Sequence, residues 1–142
     1  MTSAFSGIRI IDLSDKTVGS YTGLLLCDMG AEVIKVEAHE NTLDPNDRFF
    51  NRGKKSISLD VTDQSKRDQL DQLIQSADVL ISTRLIDNAK SLKLDYENIA
   101  KVNPSLIYCS IPPYGDSGPM ANIPGDDGTI GTYTGIHEGQ GG

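Results

Sequence analysis

The sequence predicts an α/β fold in which an open, mostly parallel sheet is flanked by helices. Apolar residues occur in short, β-branched blocks that polar or turn residues bound, as expected of strands buried in a parallel sheet. Segments of helical character separate these blocks, and such alternation is typical of α/β proteins. The four blocks are residues 8–13, 32–37, 77–82 and 105–111.

The first helix is predicted between the first two blocks. Residues 21–29 have helical character, and Gly30 follows them in the position that glycine favours just past a helix C-terminus. Strand, helix and strand together occupy about 30 residues, which is the size of a βαβ unit.

A second helix is predicted over residues 62–76. Leu70, Leu73 and Ile74 share one face there, while charged residues lie on the others. Short helical turns over residues 87–92 and 96–101 then lead to the fourth block through an Asn-Pro pair that does not favour helix.

The composition changes sharply after Ile111. Residues 112–142 contain nine of the fourteen glycines, four of the six prolines and no Lys or Arg. Such a segment buries little by itself. We therefore expect an α/β domain over residues 1–111, followed by a Gly-rich segment, 112–142, that leads into a missing remainder of the fold or needs a partner to cover it.

The charge balance argues against a nucleic-acid surface. The chain of 142 residues carries 13 basic and 20 acidic side chains, a formal net charge of −7, whereas phosphate neutralisation needs clustered Lys and Arg. No apolar run is long enough to span a membrane, and residues 1–6 lack the basic start of a signal peptide. These features predict a cytoplasmic protein without a membrane partner.

No metal site is predicted. Cys27 and Cys109 stand in apolar stretches, where a reduced cysteine behaves as a small hydrophobe. The two histidines, His39 and His137, are far apart and lack neighbouring acceptor clusters.

Five ordered blocks carry a family resemblance. They read GIRIIDL (7–13), LLLCDMGAEVIKVE (24–37), NRGKKSISLD (51–60), ADVLI (77–81) and NPSLIYCSI (103–111), the last followed by YGDSGP (114–119). Taken together, they resemble the family III CoA-transferases, the group that includes formyl-CoA and carnitine CoA-transferases and the α-methylacyl-CoA racemases. The resemblance implies a Rossmann-like fold.

The resemblance also implies a reaction. In the family, an aspartate attacks an acyl-CoA thioester and CoA then passes to an acceptor carboxylic acid, through covalent intermediates that divide a difficult exchange into easier steps. Members are longer than this chain, which is similar to their N-terminal CoA-binding part, and the nucleophile would fall beyond Gly142. No catalytic residue is therefore assigned, and this chain alone is expected to be inactive. The full-length form is expected to be a homodimer that uses CoA or acyl-CoA and no metal.

The basic turn of Arg52, Lys54 and Lys55 is a candidate CoA contact. It precedes a short strand and offers charge-assisted donors to the phosphates of CoA. A solvated basic turn is the alternative interpretation.

The loop after the first block is a second candidate. Residues 14–21 lead into a helix whose free N–H groups suit a phosphate or an oxyanion, and the resemblance implies that Lys16, Val18 and Gly19 approach CoA. Asp15 replaces the Arg or His usual in the family and adds repulsion toward a polyanion, which Lys16 offsets. The alternative is an ordinary helix start in which Ser20, replacing the usual Pro, is the cap.

Two further departures from the family concern residues 82–87 and Asp126. Family members usually carry an Asn-Phe-Arg-Pro-Gly-like stretch after the third block, whereas this chain offers only Arg84, displaced by one position; an exposed arginine is the alternative.

Asp126 stands where racemases have a proton-transferring His. An exposed Asp is a poor base near neutrality, which disfavours racemase chemistry. The alternative is a polar loop in which Asp127 caps the following helix.

Two other functions stay open. The chain could be a non-catalytic half of a tandem or split member, because the departures fall where the family meets CoA. It could also be a nucleotide-binding domain by fold analogy. NAD binding is not expected, although Glu37 ends the second block, because Gly19 and Gly23 do not form G-x-G-x-x-G.

Overall fold

Five parallel strands form one sheet in the order β3-β2-β1-β4-β5. The computed structural model describes residues 3–38, 45–136 and 138. The predicted α/β fold, with an open parallel sheet and flanking helices, is confirmed. The strands are β1 (Arg9–Asp12), β2 (Glu32–Glu37), β3 (Lys55–Ser58), β4 (Val79–Ser82) and β5 (Ile107–Ser110).

The described helices, except the last, connect successive strands, as parallel pairing requires, and helices pack on both faces of the sheet. They are α1 (Thr17–Asp28), α2 (Pro45–Phe50), α3 (Arg67–Gln75), α4 (Ile86–Ser91), α5 (Tyr96–Val102) and α6 (Asp127–Tyr133), with a 3₁₀ turn, Gln64–Lys66, before α3. None of the helices in the described part of the chain is long and apolar enough to cross a membrane.

Apolar layers lie on both faces of the sheet because successive strand residues point in opposite directions. Ile11 and Leu80 belong to one layer, with Leu70 and Ile74 of α3. Ile10, Val33 and Ile81 belong to the other, and the two partly buried free cysteines, Cys27 and Cys109, pack against it. The cysteines therefore behave as small hydrophobes, as the sequence indicates.

Helix α1 begins four residues earlier than the apolar pattern predicts. Its end is as expected, since Met29 is the C-cap and Gly30 has a φ of +99°. The prediction of Ser20 as the N-cap is wrong, because Lys16 occupies that position and Ser20 lies buried within the helix. Gly19 makes the early start possible. A Cβ there would lie 2.3 Å from Ser14 Cβ and 2.8 Å from Thr83 Cγ2.

The segment after β5 is mostly exposed. Its helix, α6, begins at Asp127, and the cap is Asp126, whose carboxylate accepts from the Thr129 N–H at 2.8 Å in a capping box. The expectation that Asp127 caps this helix is wrong by one residue. Asn122 ties the segment to α4, because it accepts from the Asp87 N–H at 3.0 Å and donates to its carboxylate at 2.8 Å.

Candidate functional site

A cleft of about 450 Å³ opens at the carboxyl ends of β1, β2 and β4. After β1, the chain builds β2 and β3 on one side, and it returns to add β4 and β5 on the other. In open α/β sheets, the crevice at such a reversal of strand order is where ligands bind. The charged and amide side chains that line this cleft are Asp15, Lys16, Lys35, Glu37, Asn51 and Arg84.

A buried carboxylate lies at the floor of the cleft. Asp12, the last residue of β1, is completely buried. Its Oδ1 accepts from the Ser14 N–H at 3.0 Å and from the Ser14 hydroxyl at 2.5 Å. Lys35 Nζ lies 3.2 Å from the same oxygen and Lys54 Nζ lies 2.8 Å from Oδ2. We call Asp12, Lys35 and Lys54 the buried ionic cluster.

Lys54 is fully engaged within the buried ionic cluster. Besides Asp12 Oδ2, its ammonium group donates to the Ser20 carbonyl at 2.8 Å and to Asn51 Oδ1 at 3.0 Å. An ammonium group has three N–H donors. The side chain is 1% exposed, so Lys54 offers no free donor to a ligand.

Lys35 completes the buried ionic cluster from β2 and also borders the cleft. It donates to the Ser14 carbonyl and, at 3.0 Å, to the Ser14 hydroxyl. Two ammonium groups therefore face one carboxylate, which leaves a net positive charge at the cleft floor. Burial and the neighbouring Lys35 lower the pKa of Lys54, although Asp12 opposes them. Burial disfavours the charged form of Asp12, but the two lysines overcome it, and the pKa of Asp12 lies below its usual value.

Asp15 is tied across the cleft mouth to the loop after β4. Its carboxylate accepts from the Thr83 hydroxyl at 2.7 Å, and its N–H donates to the same Thr83 oxygen at 3.0 Å. The pair joins the loops that follow β1 and β4. The acid that departs from the family pattern therefore links two loops as well as adding negative charge.

Arg84 lines the cleft and has an unused donor. Its backbone N–H donates to Ser82 Oγ at 3.3 Å. Its Nε is buried and finds no hydrogen-bond partner among the described residues. A buried donor without an acceptor is costly. Arg84 would therefore gain from a ligand that supplies an acceptor.

The three basic residues of the turn separate in the structure. Lys54 points inward, whereas Arg52 pairs with Asp28 at 2.6 Å and lies 5.0 Å above the Phe49 ring. Lys55 is exposed and pairs with Glu32. Arg52 and Lys55 are not among the residues that line the cleft. The basic turn therefore does not form a single patch.

The first turn of α1 presents the remaining predicted residues. Lys16 lines the cleft and, together with Val18, a smaller cavity of about 190 Å³ beside Asp126. The Gly19 N–H donates to the Lys16 carbonyl at 3.2 Å. The Gly19 N–H is therefore not free to bind an anion, and Gly19 shapes the start of α1 through its lack of a side chain.

Asp126 is occupied as a helix cap at the smaller cavity. Its hydrogen bonds to the backbone and side chain of Thr129 lower its pKa. A carboxyl group whose pKa is lowered is a weaker base. Within the described ranges no group of three His, Cys, Asp or Glu side chains is placed to hold a metal ion. His39 and His137 lie outside the described residues.

Sequence reasoning missed Asp12 and Lys35. Each stands inside an apolar strand block, where the pattern predicts a strand and indicates no further role. The available signal was a charged residue in a position that burial on both faces should make apolar.

Comparison with known proteins assigns the chain a family. The model of CoA-transferase family III matches residues 5–142. The succinate–glutarate CoA-transferase of Agrobacterium fabrum is 36% identical over 141 residues, which cover 86% of this chain and 35% of that enzyme. The α-methylacyl-CoA racemase of Mus musculus is 31% identical, over 85% of this chain and 31% of its own length.

A solved structure supports the same conclusion. A CAIB/BAIF family protein from Brucella suis superposes with a TM-score of 0.88 at 34% identity, covering 96% of this chain and 40% of that protein. The chain thus spans between 31% and 40% of the length of these relatives.

Proposed function

The chain belongs to CoA-transferase family III, and from that premise we propose that it supplies the CoA-binding part of an enzyme that transfers CoA between carboxylic acids. The observation that carries this proposal is the cleft at the ends of β1, β2 and β4. Its floor, the buried ionic cluster, has two lysines for one carboxylate, and its lining adds Lys16 and Arg84 beside the acids Asp15 and Glu37. CoA carries a 3′-phosphate and a pyrophosphate, and such anions are attracted to clustered cations.

Arg84 is the residue we assign to direct phosphate contact. Arg84 lines the cleft, and its buried Nε lacks an acceptor in the described part of the chain. A phosphate in the cleft would supply one once the guanidinium group turns toward it. Guanidinium groups suit phosphate because their N–H groups form a planar fork. Lys16 lines both the cleft and the smaller cavity, and Val18 lines the smaller cavity; we place the thioester end of the ligand beside these two residues.

The chemical step is assigned to a residue outside this chain. An aspartate carboxylate attacks the thioester carbonyl and forms an acyl anhydride while CoA leaves as the thiolate. The thiolate then attacks the aspartyl carbonyl, so the first acid leaves and an aspartyl-CoA thioester forms. The acceptor carboxylate then attacks the aspartyl carbonyl, which forms a second anhydride and releases the thiolate. The thiolate attacks the acceptor acyl carbonyl, so the product thioester forms and the aspartate leaves in its original state. Positioning of the thiol end of CoA is the contribution we assign to these 142 residues.

Calorimetric titration of the full chain with CoA tests this function. We expect saturable binding that weakens as salt rises, because phosphate contacts are screened. Arg84→Gln should raise Kd roughly tenfold, since a charge-assisted hydrogen bond is lost. Arg52→Gln is the matched control, because Arg52 lies outside the cleft lining, and its Kd should stay near that of the unsubstituted chain. An equal loss in both variants would contradict the assignment.

A second candidate is a non-catalytic half that serves only to pack against an active half. The bond between Asp15 and Thr83 favours it, because it places a carboxylate at the cleft and joins the two loops around it. This candidate predicts no saturable CoA binding by the folded chain. Binding of ATP or NAD without CoA would instead favour a nucleotide-binding regulatory role. A homodimeric full-length form remains a prediction, which sedimentation of that form tests.

A further inference from the structure

We infer that Lys54, acting with Asp12, is a positioning residue that fixes the loop between β1 and α1 and so shapes the cleft. The expected effect on CoA binding rests on the proposed function, since the cleft is the CoA site we propose. The inference assigns Lys54, the first of the two lysines in the basic turn, a role distinct from phosphate contact.

One ion pair anchors both the start of this loop and the first turn of the helix that follows it. At the start of the loop, Asp12 Oδ1 accepts from the N–H and the hydroxyl of Ser14. In the first turn of α1, the Ser20 carbonyl accepts from Lys54 Nζ at 2.8 Å. The bond of 2.8 Å between Lys54 Nζ and Asp12 Oδ2 joins the two anchors. The residues between them include Lys16 and Asp15, both of which line the cleft.

Gly23 provides the space through which Lys54 reaches Asp12. A Cβ on Gly23 would lie 3.0 Å from Lys54 Nζ and 3.0 Å from Asp12 Oδ2. Any larger residue would crowd both charged groups. The ion pair between Lys54 and Asp12 therefore depends on a glycine at position 23, which is 31 positions from Lys54 in the sequence.

Positioning explains why Lys54 carries its charge inside the protein. Each of its three N–H groups meets a protein acceptor within 3.0 Å, and burying an ammonium group is costly unless such partners are present. Lys55, its neighbour, is 69% exposed and touches a single acid. Lys55 is therefore the natural control.

The test combines amide hydrogen exchange with CoA titration on the full chain. The double variant Asp12→Asn/Lys54→Met removes one positive and one negative charge, so the net charge beneath the cleft is unchanged, and Lys35 keeps its bonds to Ser14. The Asp15 amide is bonded to Thr83 and not to the ionic cluster. In the double variant it should exchange about tenfold faster than in the unsubstituted chain, after correction for any change at the Ile11 and Leu80 amides. The CoA Kd should rise roughly tenfold through lost preorganisation. Lys55→Met should change neither quantity.

Selective exchange separates positioning from general stability, because a purely structural loss accelerates loop and core amides alike. A folded double variant with unchanged Asp15 exchange and unchanged Kd would overturn the inference. Should the double variant fail to fold, Asn51→Ala removes a single acceptor of Lys54 and should accelerate the Asp15 amide in the same direction by a smaller factor. Should the unsubstituted chain fail to bind CoA, the proposed function fails, and the exchange measurement still decides the positioning role.

Discussion

The floor of the cleft and the segment after β5 use carboxylates in different ways. Asp12, at the end of β1, is completely buried between two lysines and joins the loop before α1, through Ser14, to β2 and to the turn before β3. Asp126 is exposed and binds residues of its own helix, α6. The pKa of each lies below its usual value, through ammonium neighbours for Asp12 and through helix-capping hydrogen bonds for Asp126. A lowered pKa therefore does not by itself distinguish a group that organises a site from one that caps a helix.

Removing the buried carboxylate should give the largest effect. Asp12→Ala leaves two ammonium groups unpaired in the interior, and the free energy of unfolding should fall by roughly 3–5 kcal/mol. Urea denaturation followed by circular dichroism measures this loss. Asp126→Ala is the comparison, and its denaturation midpoint should decrease far less. Similar losses in both variants would remove the distinction between the two regions.

Adding a methyl group should also separate the two regions. Gly19→Ala places a Cβ 2.3 Å from Ser14 Cβ, so the start of α1 must move, and we expect a loss of about 1–3 kcal/mol. In α6, a Cβ on Gly128 meets its nearest atom at 3.5 Å. Gly128→Ala should therefore be neutral or stabilising by up to about 1 kcal/mol. Thermal unfolding of both variants tests this contrast, and a stabilised Gly19→Ala would contradict the close approach of α1.

Acidification should weaken the fold through Asp12. Because its pKa is lower in the folded chain than in the unfolded chain, the unfolded state binds the proton first as pH falls. The stabilisation is complete above the unfolded pKa of about 4 and is lost below it. The Asp12→Asn/Lys54→Met variant should therefore lose less stability between about pH 5 and pH 3 than the unsubstituted chain.

Other carboxylates with lowered pKa values, namely those of Glu32, Asp63, Asp95 and Asp126, leave some acid dependence in both proteins. Identical pH profiles of the urea midpoint would show that Asp12 contributes nothing to it.

The exposed ion pair between Arg52 and Asp28 should give the smallest effect. Both side chains are about half exposed, and such pairs contribute less than about 1 kcal/mol. Arg52→Ala should lower the unfolding midpoint slightly, and added salt should reduce the difference further. A loss comparable to that of Asp12→Ala would mean that the basic turn works as one unit.

Much of the fold could be predicted from the sequence because its signals are local. The β-branched blocks became β1, β2, β4 and β5, and Gly30 ended α1 where expected. The start of α1 was misplaced by four residues, since Gly19 and Ser20 do not extend the apolar pattern and a close approach to Ser14 decides that boundary. Asp127 was preferred to Asp126 as the cap because adjacent aspartates are equivalent in sequence.

Only part of the candidate site could be predicted from the sequence. Charge and family resemblance drew attention to Lys16, Arg52, Lys54, Lys55 and Arg84, and two of these, Lys16 and Arg84, line the cleft. The other three have different partners: Arg52 and Lys54 lie in the turn before β3, where Arg52 pairs with Asp28 at the surface and Lys54 with the buried Asp12, whereas Lys55 begins β3 and pairs with Glu32. Adjacent positions in a sequence need not share a surface.

The sequence by itself determined the parallel α/β body and the family, because apolar periodicity and ordered blocks are properties of the linear chain. Only the tertiary structure decided which charges meet. Asp12, Lys35 and Lys54 are separated by 23 and 19 positions, and they come together because β1 and β2 pair in parallel and α1 leaves room at Gly23. A buried charge is tolerated only beside partners of opposite sign, and no local pattern specifies such partners before the strands are paired.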